Sequence, residues 1–375
     1  MEFEIRLIYI FFRSFLLISL MICGKQLAHK KRWRWYELVV PVLIFGLIEG
    51  LRYMRGIDYM TYYFRYQSIQ DLDPWSFEED PLFVIVCQFL KGCHISYQGF
   101  IILCSFFLII SGLFILKDQK KYIAFSLPLF ASFMYTAENL IRWYWAFSFL
   151  MIALHFWIEN KKKYSLVAII LAGSVHLGII LVIPIYILVY YIKRPLLSPF
   201  IACIIYLILL ITFKIDYMLY LTKFITLIAD FGRYSGYVDN LNVWLTGSNR
   251  EIISIKAEDT ICFLYLIIYG HKLIADGDKK YLYFYNLFLI GAITYPMMQQ
   301  IELAARYNQI FIFFSIFIAA KSIYHSLVQN KKFNLYSILA IFYILWTISS
   351  NLYHPLVNSY KEYLFIWDAP YNVFQ

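Results

Sequence analysis

Apolar residues fall into about a dozen blocks along this chain, most of them near the roughly 20-residue length that carries a helix across a bilayer core. They span 5–23, 37–51, 98–116, 122–136, 140–158, 164–176, 177–192, 199–213, 259–275, 281–298, 303–323 and 333–350. A further run, 81–90, has the length of a re-entrant or interfacial segment. Basic clusters punctuate the blocks: Lys25, Lys30, Lys31, Arg32 and Arg34; Lys117, Lys120 and Lys121; Lys161 to Lys163; Lys193 and Arg194; Lys272, Lys279 and Lys280; Lys321, Lys331 and Lys332. These six segments hold 19 of the 33 Lys and Arg, and cationic loops stay on the cytoplasmic side. Placing all six there gives twelve crossings with both termini outside. Counting 81–90 as a crossing inverts every later loop, so it reads as a helix lying on or dipping into the outer face. The outer connections are then 52–97, rich in acid, and 214–258, with a tail after Asn351. The expected fold is all-α: one polytopic membrane domain over 1–375, with about 12 transmembrane helices plus the re-entrant or interfacial one.

Composition agrees. The chain is 62% hydrophobic and 15% charged, whereas soluble domains are about half apolar and a quarter charged. Its formal net charge of +9 invites a nucleic-acid reading. The cations, however, sit in the loops between apolar blocks, without zinc-finger spacing or an RNA-binding signature. The first block carries Arg6 and Arg13, and no small-x-small cleavage site precedes Lys25, so it is expected to be retained. The six cysteines show no CxxC spacing, which favours small buried hydrophobes over a metal site or disulfide framework.

Candidate chemistry gathers where helices meet the outer face. Residues 52–66 place Arg52, Arg55, Asp58 and a line of tyrosines directly after an apolar block, with Gly56 free to turn the acid toward the bases. Guanidiniums there suit phosphate or carboxylate, and tyrosines such as Tyr62 suit flat sugars. The bland alternative is an aromatic belt with interfacial arginines. Glu138 with Arg142, and Glu302 with Arg306, stand four apart, a spacing that puts acid and base on one helix face. Each pair also reads as a local ion pair, and His176, at a tight turn between two blocks, as an interfacial histidine. Taken together, these groups outline an outward-opening polar cavity suited to an anion. Arg13 lies deeper. Helical rise puts it roughly 15 Å above the inner face and Glu49 roughly 18 Å up the next helix, so the two are expected to pair. Arg233, Arg250 and Glu251, in the second connection, read by default as exposed loop charges.

With those positions in view, the chain resembles the EpsG family of polysaccharide polymerases, relatives of the Wzy O-antigen polymerases. Arg52-Tyr-Met-Arg-Gly56-Ile-Asp58-Tyr-Met-Thr-Tyr62 is similar to the family's R-x-x-x-G-x-D-x-x-x-Y segment. Asp80-Pro-Leu-Phe83 resembles its acidic-Pro-Leu-Phe helix opening, Arg142 to Ala146 its Arg-Gln-x-x-Ala, and Val175-His176 its aromatic-His turn. Arg306 stands where a late arginine is expected. Trp143 replaces the usual glutamine, and Arg55 a usual aliphatic residue. The resemblance implies a bacterial cytoplasmic-membrane enzyme that joins undecaprenyl-diphosphate-linked repeat units on the outer face. Arg52, Arg55, Arg142, Arg306, Glu302 and Tyr62 would then hold substrate, and Asp58, Glu138 or His176 would act in catalysis. No metal or cofactor is implied, since no Asp-x-Asp stands beside the arginines and Asp71-Leu-Asp73 lies in a loop. The lipid-linked glycan and the bilayer are the expected partners, with a chain-length regulator and the pathway's flippase as candidates. The rival classes are a flippase or other transporter, and a non-catalytic export subunit.

The topology predicts that single cysteines at positions 56 and 242, in a cysteine-free background, react with an impermeant reagent from outside. Cysteines at 31 and 162 should stay protected, and labelling at 162 but not 242 would overturn the arrangement.

Overall fold

The computed structural model describes residues 2–30, 32–56, 58–76, 79–212, 255–275, 277–299, 302–330, 332–357 and 364–369, without the side chains of 2–6, 118, 302–303 and 353–357. Arg233, Asn242, Arg250, Glu251 and the side chain of Glu302 lie outside that description. Every apolar block is helical: α1 Glu2–Ala28, α2 Trp35–Gly50, α5 Tyr97–Leu116, α6 Ile123–Phe133, α7 Ile141–Ile158, α8 Lys162–Val175, α9 Ile183–Tyr190, α10 Pro199–Thr212, α11 Ala257–Lys272, α12 Lys279–Met298, α13 Glu302–Ile312, α14 Ser315–Ile323 and α15 Leu335–Val357. The 81–90 run is α4, Pro81–Gly92, started by a proline at its first helical position. Among the described residues, five segments are long and apolar enough to cross a membrane: Leu7–Ala28, Tyr97–Leu116, Ile141–Ile158, Ala304–Gln329 and Leu335–Leu352. Others are short for that: α6 has 11 residues, and α8 and α10 have 14 each.

The connection 52–97 is built rather than open. It contains β1 (Arg52–Tyr53), α3 (Tyr59–Gln67) and a 3-10 turn, Ile69–Asp71, before α4. β1 pairs antiparallel with β2 (Leu364–Phe365), Arg52 opposite Phe365, and the Ile366 N–H extends the contact by donating to Leu51 O at 3.0 Å. Nothing in the pattern of the connection foretells this pairing.

Two compact units divide the chain, Met1–Pro184 with Ala319–Gln375, and Ile185–Ile318. In the first, α1 packs on α6, α2 and α15; α5 packs on α2 and α7; α8 covers α7; and α4 lies against α8. α1 shows how sequence sets this. Arg13, Leu16, Leu20 and Leu27 recur at helical spacing and are buried, while Leu7, Phe11, Phe15, Ile18 and Ile22 face outward. Exposed apolar faces recur on α8, α10 and α15, as lipid-facing helices of a membrane protein require. In the second unit α12 packs against α10, α11 and α13. Its buried Asn286 accepts from Leu196 N at 3.0 Å and donates to Arg194 O at 3.1 Å, pinning the turn before α10.

Without aqueous solvent to drive helices together, close approach matters more, and small residues permit it. A Cβ on Gly24 of α1 would sit 2.6 Å from Ile123 O and 2.7 Å from Ala124 Cα of α6, backbone atoms that cannot swing aside. Gly24→Ala is therefore expected to part α1 from α6 and destabilise the protein by about 1–3 kcal/mol. A thermal melt of the detergent-purified variant that matched wild type would show that the two helices have room to spare.

Candidate functional site

The end of α2 begins the site. Glu49 is the penultimate residue of α2, and Arg52 and Arg55 follow it within and just after β1. All three are buried, and so is Arg13 of α1, which is 2% exposed. A charge in such surroundings must be paired and hydrogen-bonded. Arg13 Nη1 donates to Glu49 Oε1 at 2.6 Å, and its Nη2 to Glu138 Oε1 at 2.9 Å. Arg55 Nη1 lies 3.3 Å from that same Glu138 oxygen, while its Nη2 donates to Ile48 O at 2.7 Å. Arg52 Nη1 donates to Glu49 O at 2.8 Å and, at 3.5 Å, to Ser105 Oγ of α5. Two guanidiniums, Arg13 and Arg55, thus meet two carboxylates, and Arg52, bound through the Glu49 carbonyl, adds a third positive charge beside them. A cavity of about 20 Å³, room for about one water, lies against Glu49, Arg52, Ser105, Glu138 and Tyr144.

Backbone conformation sets Gly56 against this cluster. Gly56 has φ +95°, and a Cβ there would lie 2.9 Å from Glu138 O, so both conformation and contact require glycine. Two residues on, Asp58 N donates to Asn139 Oδ1 at 2.9 Å. The Arg55 guanidinium lies 4.9 Å from the centre of the Phe365 ring, which stacks in turn on Trp367. The R-x-x-x-G-x-D segment is therefore fixed from two sides, by residues 138–139 and by β2.

A second cluster is more open. Arg142, one residue into α7, places Nη1 3.1 Å from Asp80 Oδ2 ahead of α4, and its side chain is 28% exposed. Its guanidinium carbon lies 6.0 Å from the Tyr62 ring centre and 5.5 Å from that of Phe83. Asp80 Oδ1 accepts from Leu177 N at 3.4 Å. That residue follows His176, where α8 ends in extended backbone and a 3-10 turn, Leu177–Val182, takes over. His176 Nδ1 accepts from Gly178 N at 3.2 Å, and its ring meets the Trp143 ring edge-on at 5.2 Å. At the position where the family resemblance expects glutamine, this chain therefore puts an aromatic wall against the histidine.

The expected residues thus sort into two groups. Arg52, Arg55 and Glu138 join Arg13 and Glu49 in the buried cluster, whereas Tyr62, Arg142 and the backbone beside His176 share the open one. Asp58 is half-buried, at the N-cap position of α3 without a side-chain cap bond, and its backbone is docked on Asn139. Arg306 is half-buried on α13 in the second unit. The Arg13–Glu49 pair forms as helical rise predicts, with Glu138 as an unforeseen third member. The spacing argument for Glu138 and Arg142 is corrected: Glu138 lies in a 3-10 turn, Met134–Glu138, and α7 starts only at Ile141, so the two take different partners. The line of tyrosines is corrected in part. Tyr53, Tyr59 and Tyr66 are buried against Tyr97 and Phe100, leaving Tyr62 and Tyr63 half-exposed. Burial pushes the Tyr66 phenol above its ordinary range, and its hydroxyl donates to Ile95 O at 2.8 Å. Cys93 is exposed rather than a buried hydrophobe. Asp80, which the sequence offers only as the acid of a helix-opening motif, is the contact residue that had been given no place in the site.

Because one guanidinium serves two carboxylates, Arg13→Met is expected to cost about 3–5 kcal/mol, the range for breaking a buried ion pair. Adding Glu49→Met should recover much of this, since Glu138 keeps Arg55 beside it. Abundance and melting midpoint in detergent report the outcome, and a double variant no better than Arg13→Met would contradict the shared pairing.

Comparison with curated proteins and with solved structures yields no match. The family model described as EpsG family matches residues 35–365, from the start of α2 to β2, and so takes in the open cluster and every member of the buried one except Arg13. The chain belongs to the EpsG family, which is associated with Wzy-like polysaccharide polymerases.

Proposed function

We propose that this protein is a polysaccharide polymerase. It transfers a growing glycan from undecaprenyl diphosphate to a second lipid-linked repeat unit on the outer face of a bacterial cytoplasmic membrane, within a bundle of about twelve crossings. The observation that carries the reading is the open cluster, set in a chain of this family. It brings together a half-exposed arginine held by Asp80, a tyrosine ring beneath it and a histidine packed on Trp143. In the reaction, the acceptor hydroxyl oxygen bonds to the anomeric carbon while the bond from that carbon to the diphosphate oxygen breaks. Diphosphate departs as an anion, so guanidiniums that hold its charge take the place of a strong acid. The hydroxyl proton passes to a base within hydrogen-bond reach. Asp58 and His176, both half-buried, suit that task better than Glu138, whose oxygen already lies against two arginines. In this reading the buried cluster supplies fixed positive potential behind the site, and Arg142 grips the diphosphate.

Arg142→Lys keeps the charge and loses the planar fork. It is expected to leave abundance unchanged and to cut polymer at least about tenfold, on the scale of one lost charge-assisted hydrogen bond. Cells carrying it, like a deletion strain, should accumulate single lipid-linked repeat units outside. Gel analysis of lipid-linked glycan with impermeant surface labelling distinguishes the outcomes. Accumulation on the inner side would identify a flippase instead, and full-length polymer from Arg142→Lys would reduce Arg142 to an interfacial anchor.

A further inference from the structure

Asp80 stands immediately before Pro81, the position from which an aspartate ordinarily caps its helix. It makes no such cap to α4. Its carboxylate turns away from its own helix, and the side chain is only 6% exposed. One oxygen, Oδ2, takes Arg142 Nη1 at 3.1 Å, and the other, Oδ1, takes the backbone N–H of Leu177 at 3.4 Å. These two partners begin separate elements. Arg142 opens α7, and Leu177 opens the 3-10 turn that follows His176 at the break after α8. Forgoing a cap worth about 1 kcal/mol to bridge two other elements is expected of a group whose task is geometry.

We infer that Asp80 is a positioning residue: it aims the Arg142 guanidinium at a diphosphate and holds the His176 turn beside it. The grip on Arg142 is monodentate, through a single guanidinium nitrogen, because the second carboxylate oxygen is engaged by Leu177. A carboxylate that took the guanidinium with both oxygens would occupy the fork that phosphate needs. Tyr62 and Phe83 flank the guanidinium, so it is oriented by a charge on one edge and by aromatic rings across its plane. Arg142 and the turn after His176 thus both depend on one buried carboxylate that itself need not touch substrate. This role rests on the polymerase reading above.

Asp80→Asn separates the two contacts, because its amide oxygen can still accept from Leu177 N while the charge that holds Arg142 is gone. Purified full-length protein in detergent is titrated with undecaprenyl diphosphate, with inorganic pyrophosphate as the lipid-free comparison, and binding is read by calorimetry. Wild type is expected to bind the lipid diphosphate, and Asp80→Asn to bind it about tenfold more weakly. Asp80→Glu, which keeps the charge, should recover part of the loss. Adding Asp80→Asn to Arg142→Lys should weaken binding little further, because the carboxylate acts through the guanidinium. Melting midpoints within a few degrees of wild type would exclude a general folding defect. Wild-type protein that bound neither ligand would overturn the polymerase reading and this role with it, and pyrophosphate binding as tight as the lipid's would show that the anion alone is recognised. Equal binding by wild type and Asp80→Asn, or fully additive losses in the double variant, would overturn the role of Asp80 while leaving the polymerase reading standing.

Discussion

One guanidinium in an apolar interior determines much of this structure. Arg13 sits halfway along the first helix, where an isolated charge is expensive, and it is tolerated because two carboxylates from distant parts of the chain converge on it. Meeting that requirement brings together α1, the end of α2 and the turn between α6 and α7. Once Glu138 is held there, Gly56 and Asp58 have a fixed surface to dock on, and the motif after α2 acquires a single conformation. The constraint is electrostatic in origin, but its product is geometric. Close helix contact, as at Gly24, lets the same elements approach without competing side chains.

The two charged clusters obey different physics. In the buried one, guanidiniums and carboxylates lie in low dielectric, where removing any member strands another, so it behaves as a rigid unit. The open cluster has a half-exposed arginine and a half-buried histidine at a helix break, and water weakens each contact there. Side chains that exchange partners with a passing ligand belong in the second kind of environment. Tyr62 and Tyr66 differ in the same way: Tyr66 is sealed in an aromatic core, and Tyr62, about one turn away on α3, lies under Arg142.

How far the sequence foretold these arrangements follows from the range of each force. Helices depend on neighbours along the chain, so all twelve apolar blocks are helical, and counting helical rise is enough to pair Arg13 with Glu49. The partner of Glu138 depends on where α7 begins, and a start at Ile141 in place of Glu138 turns the acid from Arg142 toward Arg13. Trp143 invites comparison with a family glutamine, and its actual role, a ring set edge-on to His176, comes from the far end of the next helix. Asp80 reads only as the acid of a helix-opening motif, and it is the tertiary fold that turns its carboxylate toward Arg142 and Leu177. The pairing of residues 52–53 with 364–365 joins positions more than three hundred apart through two residues each, too little sequence to carry a signal.

That last pairing has a consequence for the order of assembly. Chains fold largely from the N-terminus during synthesis, and α1, α2 and the Arg13 cluster are complete in sequence by Asn139. Phe365, which lies over Arg55, and Ile366, which bonds to Leu51, leave the ribosome some two hundred residues later, on the order of ten seconds or more at cellular elongation rates. Throughout that interval the motif after α2 lacks its outer cover. The site is therefore among the last parts of the molecule to close, and a chain interrupted before β2 would carry the charge cluster with the cover over Arg55 missing.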